Sequence, residues 1–386
     1  MLKNKTTEQI FNYSESESRR FNMNIYRAVV DKIDVRSLKK DIIANQVDIG
    51  ILRVQSNCFA ELSKLNQLGF PYINADTLVY YHIDLAKHQS KPYRNQDLTF
   101  EIMSKDDIKI LDALVEEIFV GYTNHYFSNP YIDKQSILEG YQEWVQGFLD
   151  TDNNNKICYL VKKDNAIAGF ATVAVEGDVG EGVLYGVLPA FAGQGIYSDI
   201  IRYTLEAVKN MGLKTMKVST QIQNYAVQKV WVREQFYLKE SYATIHINAF
   251  LKHSKIPKKQ FEFSVSEEEI EAFGKMSGDM NPVHFDDTAA QEIGFKSRIA
   301  HGLIGNSILS KYYGMDFPGN GTLFLGYNFI FLAPIYPNQT YSVEITFYNV
   351  IGKSGIYEAL AKITDARGKL CLLSYNTLKN NSIEQK

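Results

Sequence analysis

Between Leu251 and Gln260 the chain reads LKHSKIPKKQ, a polar, basic stretch containing Pro257, and the pattern of secondary structure changes across it. On its N-terminal side, residues 156–250 alternate strand-like and helical segments. On its C-terminal side a single glycine-opened helix is followed by long runs of β-branched and aromatic residues. One core does not serve both patterns, and 386 residues are enough for two or three compact units of roughly 100 to 150 residues each. The stretch is read as a linker over residues 252–260, with an α/β region before it and an α+β domain at 261–386 after it.

Composition removes several classes of function. Hydrophobic residues make up 45% and charged residues 22%, and no apolar run approaches the roughly 18 residues that span a bilayer, so no membrane association is expected. The opening MLKNKTTEQIFNYSESESRR lacks the apolar middle of a secretory signal, which leads to a cytoplasmic expectation. Cys58, Cys158 and Cys371 are too scattered for a CxxC knuckle or a disulfide framework, and no metal is expected. A net charge of −3 without a Lys/Arg block leaves no footprint for nucleic acid. Small-molecule chemistry is the remaining class.

Within the α/β region, ICYLVKKDNAIAGFATVAVEG reads as a hairpin turned at Asp164 and Asn165, and EGVLYGVLP as a strand. IYSDIIRYTLEAVKNMG has helical spacing and closes on Gly212, as a C-cap glycine does. A weak repeat is visible between Gln67–Ile83 and Arg233–Ile247. Aligned on Phe70 and Phe236, Asp76 falls opposite Tyr242 and Val79 opposite Ile245. This suggests two related halves, 1–95 and 96–251; two unrelated helix–strand units of similar composition would look much the same.

In VLPAFAGQGIYSD a strand ends at Pro189, and Gly193 and Gly195 open the following helix. Such a turn presents free N–H groups, backed by the helix dipole, to an anion that glycine allows close. GxG alone also marks an ordinary tight turn. The wider order of strand, VxP, GxG helix, KTMKVSTQIQN strand, helix and REQF resembles the GNAT N-acetyltransferases over residues 97–250. STQIQNYAVQKVWVREQF followed by ESYATIHI is most similar to the amino-sugar acyltransferases of the TDP-fucosamine acetyltransferase type, in which a degenerate half precedes the catalytic one. The resemblance implies that main-chain atoms at Val187 align the pantetheine of CoA, that Gly193, Gln194 and Gly195 cradle its pyrophosphate, and that Asn224 bonds the pantetheine.

Three positions depart from that pattern. Ala190 stands where an arginine or glutamine is usual, Gln235 replaces a glycine, and Trp231 replaces the tyrosine that protonates the departing thiolate. An indole N–H donates a hydrogen bond but not a proton at neutral pH, so Tyr225, Tyr237 or water would have to substitute. The base for the attacking amine is assigned to Glu181, on the strand face expected to carry Val183, Tyr185 and Val187. The other reading of Glu181 is an exposed strand-end residue.

After the linker, SGDMNPVHFD (Ser277 to Asp286) sets an aspartate and a histidine five residues apart around an Asn-Pro turn. It is followed by IAHG, PGNGT and FLAPI. Together these resemble the MaoC-like hotdog family, in particular its (R)-specific enoyl-CoA hydratases, over residues 259–380. The resemblance makes Asp279 and His284 the catalytic pair. Asn281 orients one of them, Gly302 donates a backbone N–H to the thioester carbonyl, and Ser310 supports the pocket. Hydration needs a base for water at C3, an acid for C2 and a donor for the enolate oxygen, and these residue types supply all three. Asn338 and Gln339 replace the family's usual Gly-Asp in the turn after FLAPI.

The expected architecture is therefore α/β plus α+β: a tandem GNAT module, with a degenerate N-terminal half and a catalytic half, followed by a C-terminal hotdog domain. The implied activity uses acyl-CoA as substrate, with no permanently bound cofactor. A short 2-enoyl-CoA such as crotonyl-CoA is hydrated, and the 3-hydroxyacyl group is passed to the amine of a nucleotide-linked amino sugar for surface polysaccharide. The hotdog pattern implies a homodimer. Three alternatives stay open: a hydratase carried on an inactive GNAT scaffold, two independent activities, and an acyl-CoA sensor without turnover.

Overall fold

The computed structural model describes residues 10–380 apart from 151, 153–154, 253–257 and 352–354. The first part of the chain contains β1 (Asn12–Tyr13), α1 (Glu15–Phe21), β2 (Ile25–Val30), α2 (Val35–Ala44), β3 (Ile49–Gln55), a 3-10 segment (Ser56–Gln67) and β4 (Tyr72–Asp84). Next come β5 (Leu98–Ile102), α3 (Ile108–Phe119), α4 (Gln135–Gln146), β6 (Lys156–Lys163), β7 (Ala166–Glu176), β8 (Val179–Val187), α5 (Ile196–Asn210), β9 (Thr215–Gln221), α6 (Tyr225–Arg233) and β10 (Tyr237–Asn248). The last part holds β11 (Lys259–Phe263), α7 (Glu267–Ser277), α8 (Asp287–Glu292), α9 (Gly302–Met315), β12 (Leu323–Phe331), β13 (Tyr341–Ile351), β14 (Ile356–Asp365) and β15 (Leu370–Lys379). Most of the expected linker lies outside the described residues. At its ends, Lys252 N–H bonds Asp48 at 2.7 Å, and Lys259 and Gln260 already belong to β11.

Among the described residues, the first ten strands form one sheet in the order β1-β2-β3-β10-β4-β9-β8-β7-β6-β5. The β6–β7 hairpin turns on Asp164 and Asn165, both with positive φ (47° and 65°), the backbone twist that a two-residue hairpin requires. β8 and β9 are parallel, joined by α5, and pair only from Val179/Thr215 to Gly182/Val218. Beyond that they part, and a wedge opens at their C-terminal ends.

Two halves repeat one plan. β2-α2-β3, the 3-10 segment and β4 correspond to β8-α5-β9, α6 and β10, each beginning with a parallel pair. The halves exchange their last strands: β10 lies between β3 and β4, and β4 lies between β10 and β9. Thr77 and Ala243, each seven residues after the aligned phenylalanines, are cross-strand partners. The pseudo-dyad of the repeat therefore passes through this pair. Because each half supplies an inner strand to the other, neither completes its sheet alone.

The remaining strands form an antiparallel sheet, β11-β13-β14-β15-β12, wrapped around α9. Ile304, Leu309 and Tyr313 of α9 pack on Val343, Ile345, Ala359, Ile363 and Leu372. The opposite face of this sheet is covered as well. Ile330, Leu360, Leu373 and Tyr375 share one core with Phe70, Phe250 and Leu251 of the first sheet's region. Polar contacts fix the junction: Tyr375 donates to the Ala249 carbonyl at 2.7 Å, Tyr131 to Glu358 at 2.6 Å, and Lys362 Nζ to the Leu251 carbonyl. Among the described residues no helix is long and apolar enough to cross a membrane.

Candidate active sites

The motif Ser277 to Asp286 begins where α7 stops. A capping box of Ser266 and Glu269 starts that helix, and Gly278 ends it in the left-handed region at φ 79°. Asp279 Oδ1 then accepts from Asn281 N–H at 3.2 Å, and Asn281 Oδ1 accepts from Val283 N–H at 3.4 Å, so the two side chains brace the Pro282–His284 turn. His284 Nδ1 faces the Ile299 carbonyl at 2.9 Å and must carry a proton there. Its Nε2 is left as a lone pair, 3.8 Å from Asp279 Oδ2. Burial lowers the His284 pKa, and the nearby His301 ring adds to this; the Ile299 carbonyl and the Asp279 carboxylate oppose it without reversing it. A neutral imidazole and an exposed carboxylate thus flank a gap that one water can bridge.

His301, inside the IAHG motif but given no role in the sequence reading, belongs to this site. Its ring stacks on His284 with centroids 3.9 Å apart, and its Nε2 donates to the Asp279 carbonyl at 2.9 Å. The buried Nδ1 of His301 has no hydrogen-bond partner. Asp279, His284 and His301 present ligand atoms within 4.8 Å of one another, a set compact enough for a divalent ion. The sequence signal for His301 was its place directly before Gly302, the first residue of α9, whose N–H has no partner within the helix. A Cβ at Gly302 would stand 2.9 Å from the Phe331 ring, so the position stays free of a side chain. Ser310 is on the exposed face of α9, eight residues and therefore roughly 12 Å further along the helix; within one chain it is not brought to the pair. Asn338 takes the left-handed conformation, φ 56°, and donates to Val265 at 2.8 Å, so the turn after FLAPI forms without the usual glycine.

The second site is the wedge between β8 and β9. Val187 ends β8, and Gly193 and Gly195 both have positive φ (77° and 83°) where α5 begins. Gly193 has open space around it, as a loop that admits an anion requires. The side chain of Arg94 covers Gly195, with Cδ 2.8 Å from where a Cβ would stand, and Arg94 has no ion-pair partner among the described residues. Buried Asp199 holds this arm in place by accepting from the N–H groups of Arg94 (2.9 Å) and Asn95 (3.0 Å). Asn95 Nδ2 also donates to the Gln194 carbonyl at 3.2 Å. Arg94 thus sets a cation beside this loop, and nothing in the local sequence pointed to it. Asn224 caps α6 and donates to Thr220 Oγ1 at 3.0 Å.

Two expectations are corrected here. Partners of Thr172 and Val173 on β8 are Leu184 and Gly182, so Val183 is an extra residue, a β-bulge. The bulge reverses the alternation: Glu181 shares a face with Leu184, whereas Tyr185 and Val187 turn to the α5 side. Glu181 therefore faces the opposite cleft, ion-paired to Lys217 at 3.0 Å. The second correction concerns the tyrosines proposed to replace Trp231. Tyr225 and Tyr237 are 66% and 53% exposed, while Trp231 is buried against Tyr81 with its Nε1 unpartnered. The Tyr122 hydroxyl bonds the Gln221 side chain at the end of β9, the strand that borders the wedge.

On the cleft side, about 630 Å³ is lined by residues of both halves, including Arg27, Arg53, Tyr80, Trp144, Lys156 and Glu181. Burial alone would raise the Glu17 carboxyl in its wall, but the Arg27 guanidinium, with help from Ser14 and Tyr126, brings it down to about 2. Beneath the cleft, Asn129 Nδ2 bonds His246 Nδ1 at 3.1 Å and His246 Nε2 bonds His125 Nδ1 at 2.8 Å. Burial holds both imidazoles neutral.

Two family models match the chain, one in each region. Residues 251–365 match the MaoC like domain, and residues 112–235 match the acetyltransferase (GNAT) family. The fold is thus GNAT-like in the N-terminal region and a hotdog in the C-terminal region. An (R)-specific enoyl-CoA hydratase of Rhodospirillum rubrum is 32% identical over 88 residues, covering 23% of this chain and 61% of its own length. The (R)-specific enoyl-CoA hydratase of Aeromonas caviae is 32% identical over 77 residues, 20% of this chain and 58% of its own. A mitochondrial 3-hydroxyacyl-[acyl-carrier-protein] dehydratase of Arabidopsis thaliana is 34% identical over 71 residues, 18% of this chain and 42% of its own. The chain therefore spans less than two thirds of each of these relatives.

Proposed function

We propose that this chain is a bifunctional acyl-CoA enzyme: a hydratase that adds water to a short 2-enoyl-CoA to give the (R)-3-hydroxyacyl-CoA, and an N-acyltransferase that moves the product's acyl group to an amine. The observation that carries the reading is the 3.8 Å approach of His284 Nε2 and Asp279 Oδ2 beside the start of α9. A water held between them loses one proton to the pair as its oxygen bonds C3. The pair returns one proton to C2 on the same face and ends as it began. The Gly302 N–H, fixed before the reaction, receives the charge that develops on the thioester oxygen.

For the transferase, Val187, Gly193, Gln194, Gly195 and Asn224 are assigned to CoA, joined by Arg94. The acceptor enters from the cleft. Its cationic side chains and aromatic walls suit a nucleotide diphosphate carrying an amino sugar, such as a dTDP-amino-dideoxyhexose used in surface polysaccharide. A homodimer through the hotdog domain would cover Leu323, Leu325, Tyr327 and Phe331 of edge strand β12, all more than half exposed in the single chain. A cytoplasmic location fits the use of acyl-CoA.

The test is a competition among equal acetyl-CoA, crotonyl-CoA and (R)-3-hydroxybutyryl-CoA, read by the mass of the acylated sugar. Hydroxybutyryl-sugar should form from crotonyl-CoA in wild type and not in Asp279→Ala. Preferential acetylation, unaffected by that substitution, would mean that the two domains do not work in sequence. A second reading, a hydratase on a non-catalytic GNAT scaffold, is favoured by the burial of Trp231 where a proton donor is usual. It predicts hydration with no acylated sugar from any donor.

A further inference from the structure

Bordering the cleft, on the strand face that carries Leu78 and Tyr80, is a carboxylate that the proposed transfer chemistry has not used. Arg53 on β3, Thr244 on β10 and Asp76 on β4 are cross-strand partners in one row. Strand alternation puts Asp76 on the face of Leu78 and Tyr80, which line the cleft together with Arg53. Both carboxylate oxygens of Asp76, Thr244 Oγ1 and Arg53 Nε are buried without a well-formed hydrogen bond among the described residues, the Thr244 hydroxyl standing close enough to act on the carboxylate. The other carboxylates of the cleft are paired: Glu17 with Arg27 at 2.5 Å, Glu143 with Arg20 at 2.6 Å, Glu181 with Lys217 at 3.0 Å. Unsatisfied buried polar atoms are rare and costly, and three neighbours in one row are best explained by a ligand that completes them. Burial raises the Asp76 pKa, while the Thr244 hydroxyl and Arg53 guanidinium act to keep it ionised. A primary ammonium, compact and rich in N–H donors, suits a carboxylate in that setting.

Thr77, next to Asp76, accepts from Ile222 N–H at 2.8 Å, immediately after β9, the strand that borders the wedge. Tyr122, bonded to Gln221 of β9, lies within the electrostatic reach of Asp76. Asp76 is the member of the row nearest the wedge, on β4, the strand that pairs with β9.

We propose that Asp76 receives the primary ammonium of the acyl acceptor and takes the proton that the amine must lose before it attacks. The inference rests on the acyl-transfer reading above and names a catalytic group contributed by the N-terminal half. The ammonium gives one proton to the carboxylate, and the freed nitrogen lone pair forms the C–N bond at the thioester carbon. The C–S bond then breaks, a second nitrogen proton reaches the CoA thiolate by way of the Tyr122 hydroxyl beside β9, and the proton on Asp76 leaves to solvent with the product. The amide keeps the third proton, so the sum is one amide, one CoA thiol and one released proton.

The test uses the full chain and two probes, dTDP-4-amino-4,6-dideoxyglucose and dTDP-6-deoxyglucose, which differ in an amine against a hydroxyl. Calorimetry on wild type should give an affinity for the amine about ten- to hundredfold above that for the hydroxyl, the worth of a charged hydrogen bond. In Asp76→Asn the two affinities should become equal while CoA binding is unchanged. Acyl transfer should fall about a hundredfold or more without a change in KM for the acyl-CoA, and Asp76→Glu should recover part of it. An unchanged affinity ratio in Asp76→Asn overturns the role of Asp76 and leaves the transferase reading intact. Wild type that neither binds nor acylates the amino sugar overturns the acceptor class and this proposal with it. Should Asp76→Asn not fold, Thr244→Val reads the same ratio, which should fall.

Discussion

His284 is held by two opposed contacts: its Nδ1 is committed to the Ile299 carbonyl at 2.9 Å, and its Nε2 faces Asp279 Oδ2 at 3.8 Å. The first contact fixes the tautomer that makes the second useful. Asp279→Ala and His284→Ala should each lower kcat for crotonyl-CoA by about two to four orders of magnitude. The reaction needs neutral His284, whose pKa lies below the ordinary 6.5. Activity should therefore be fully present above that value and lost only as pH falls through the lowered pKa. A kcat/KM profile whose acid limb has its midpoint at or above 6.5 would contradict this assignment.

His301 touches both members of the pair without replacing either. Its removal frees the Asp279 carbonyl and one face of the His284 ring. His301→Ala should reduce kcat by about a hundredfold, the cost of a small misplacement, with little change in KM. Equal loss in KM alone would assign it to binding.

Trp231 is a core residue, so its chemistry and its packing separate cleanly. Trp231→Phe removes the indole N–H with part of the ring but keeps an aromatic side chain in the core, and should leave acyl transfer within a factor of a few. Trp231→Ala should destabilise the fold by about 3–5 kcal/mol. Tyr122→Phe, in contrast, should lower kcat of acyl transfer by about a hundredfold while crotonyl-CoA hydration is unchanged, measured as release of CoA thiol against loss of enoyl absorbance.

Arg94 should matter to one activity only. If it supplies the charge that Ala190 lacks, Arg94→Ala raises KM for the acyl donor in the transfer assay by about tenfold or more. Hydration by the hotdog site should not respond. The comparison is made on one protein preparation with both assays.

The apolar core that runs from Phe70 and Phe250 into Leu373 and Tyr375 predicts joint unfolding. Calorimetry should give one transition across both regions, and Tyr375→Ala, which removes a fully buried ring at the junction, should lower its midpoint. Two resolved transitions would show that the junction does not couple them.

Much of the site in the C-terminal domain was legible as contiguous sequence. SGDMNPVHFD carries its geometry in local terms: a glycine C-cap, an Asx turn and a proline bring Asp279 and His284 together within six residues. The glycine loop is likewise local, and so are the hairpin at Asp164 and Asn165 and the stop of α5 near Gly212. The face of Glu181 was not legible, because the bulge at Val183 appears only when β8 is laid against β7. Ser310 could be placed on a helix from sequence but not on the exposed side of it.

The sequence by itself determined the local elements, the change of pattern near residue 255, and both candidate site motifs, since each depends on residues within a turn or two of one another. Only the tertiary structure decided which distant groups meet. His301 reaches back 22 residues to Asp279, Arg94 crosses about a hundred residues to Gly195, and Asp76, Thr244 and Arg53 align because β10 of one half is inserted between β3 and β4 of the other. Backbone propensity and short spacings act over a few residues, whereas strand exchange and core packing are set by burial of the whole chain, which no short window contains.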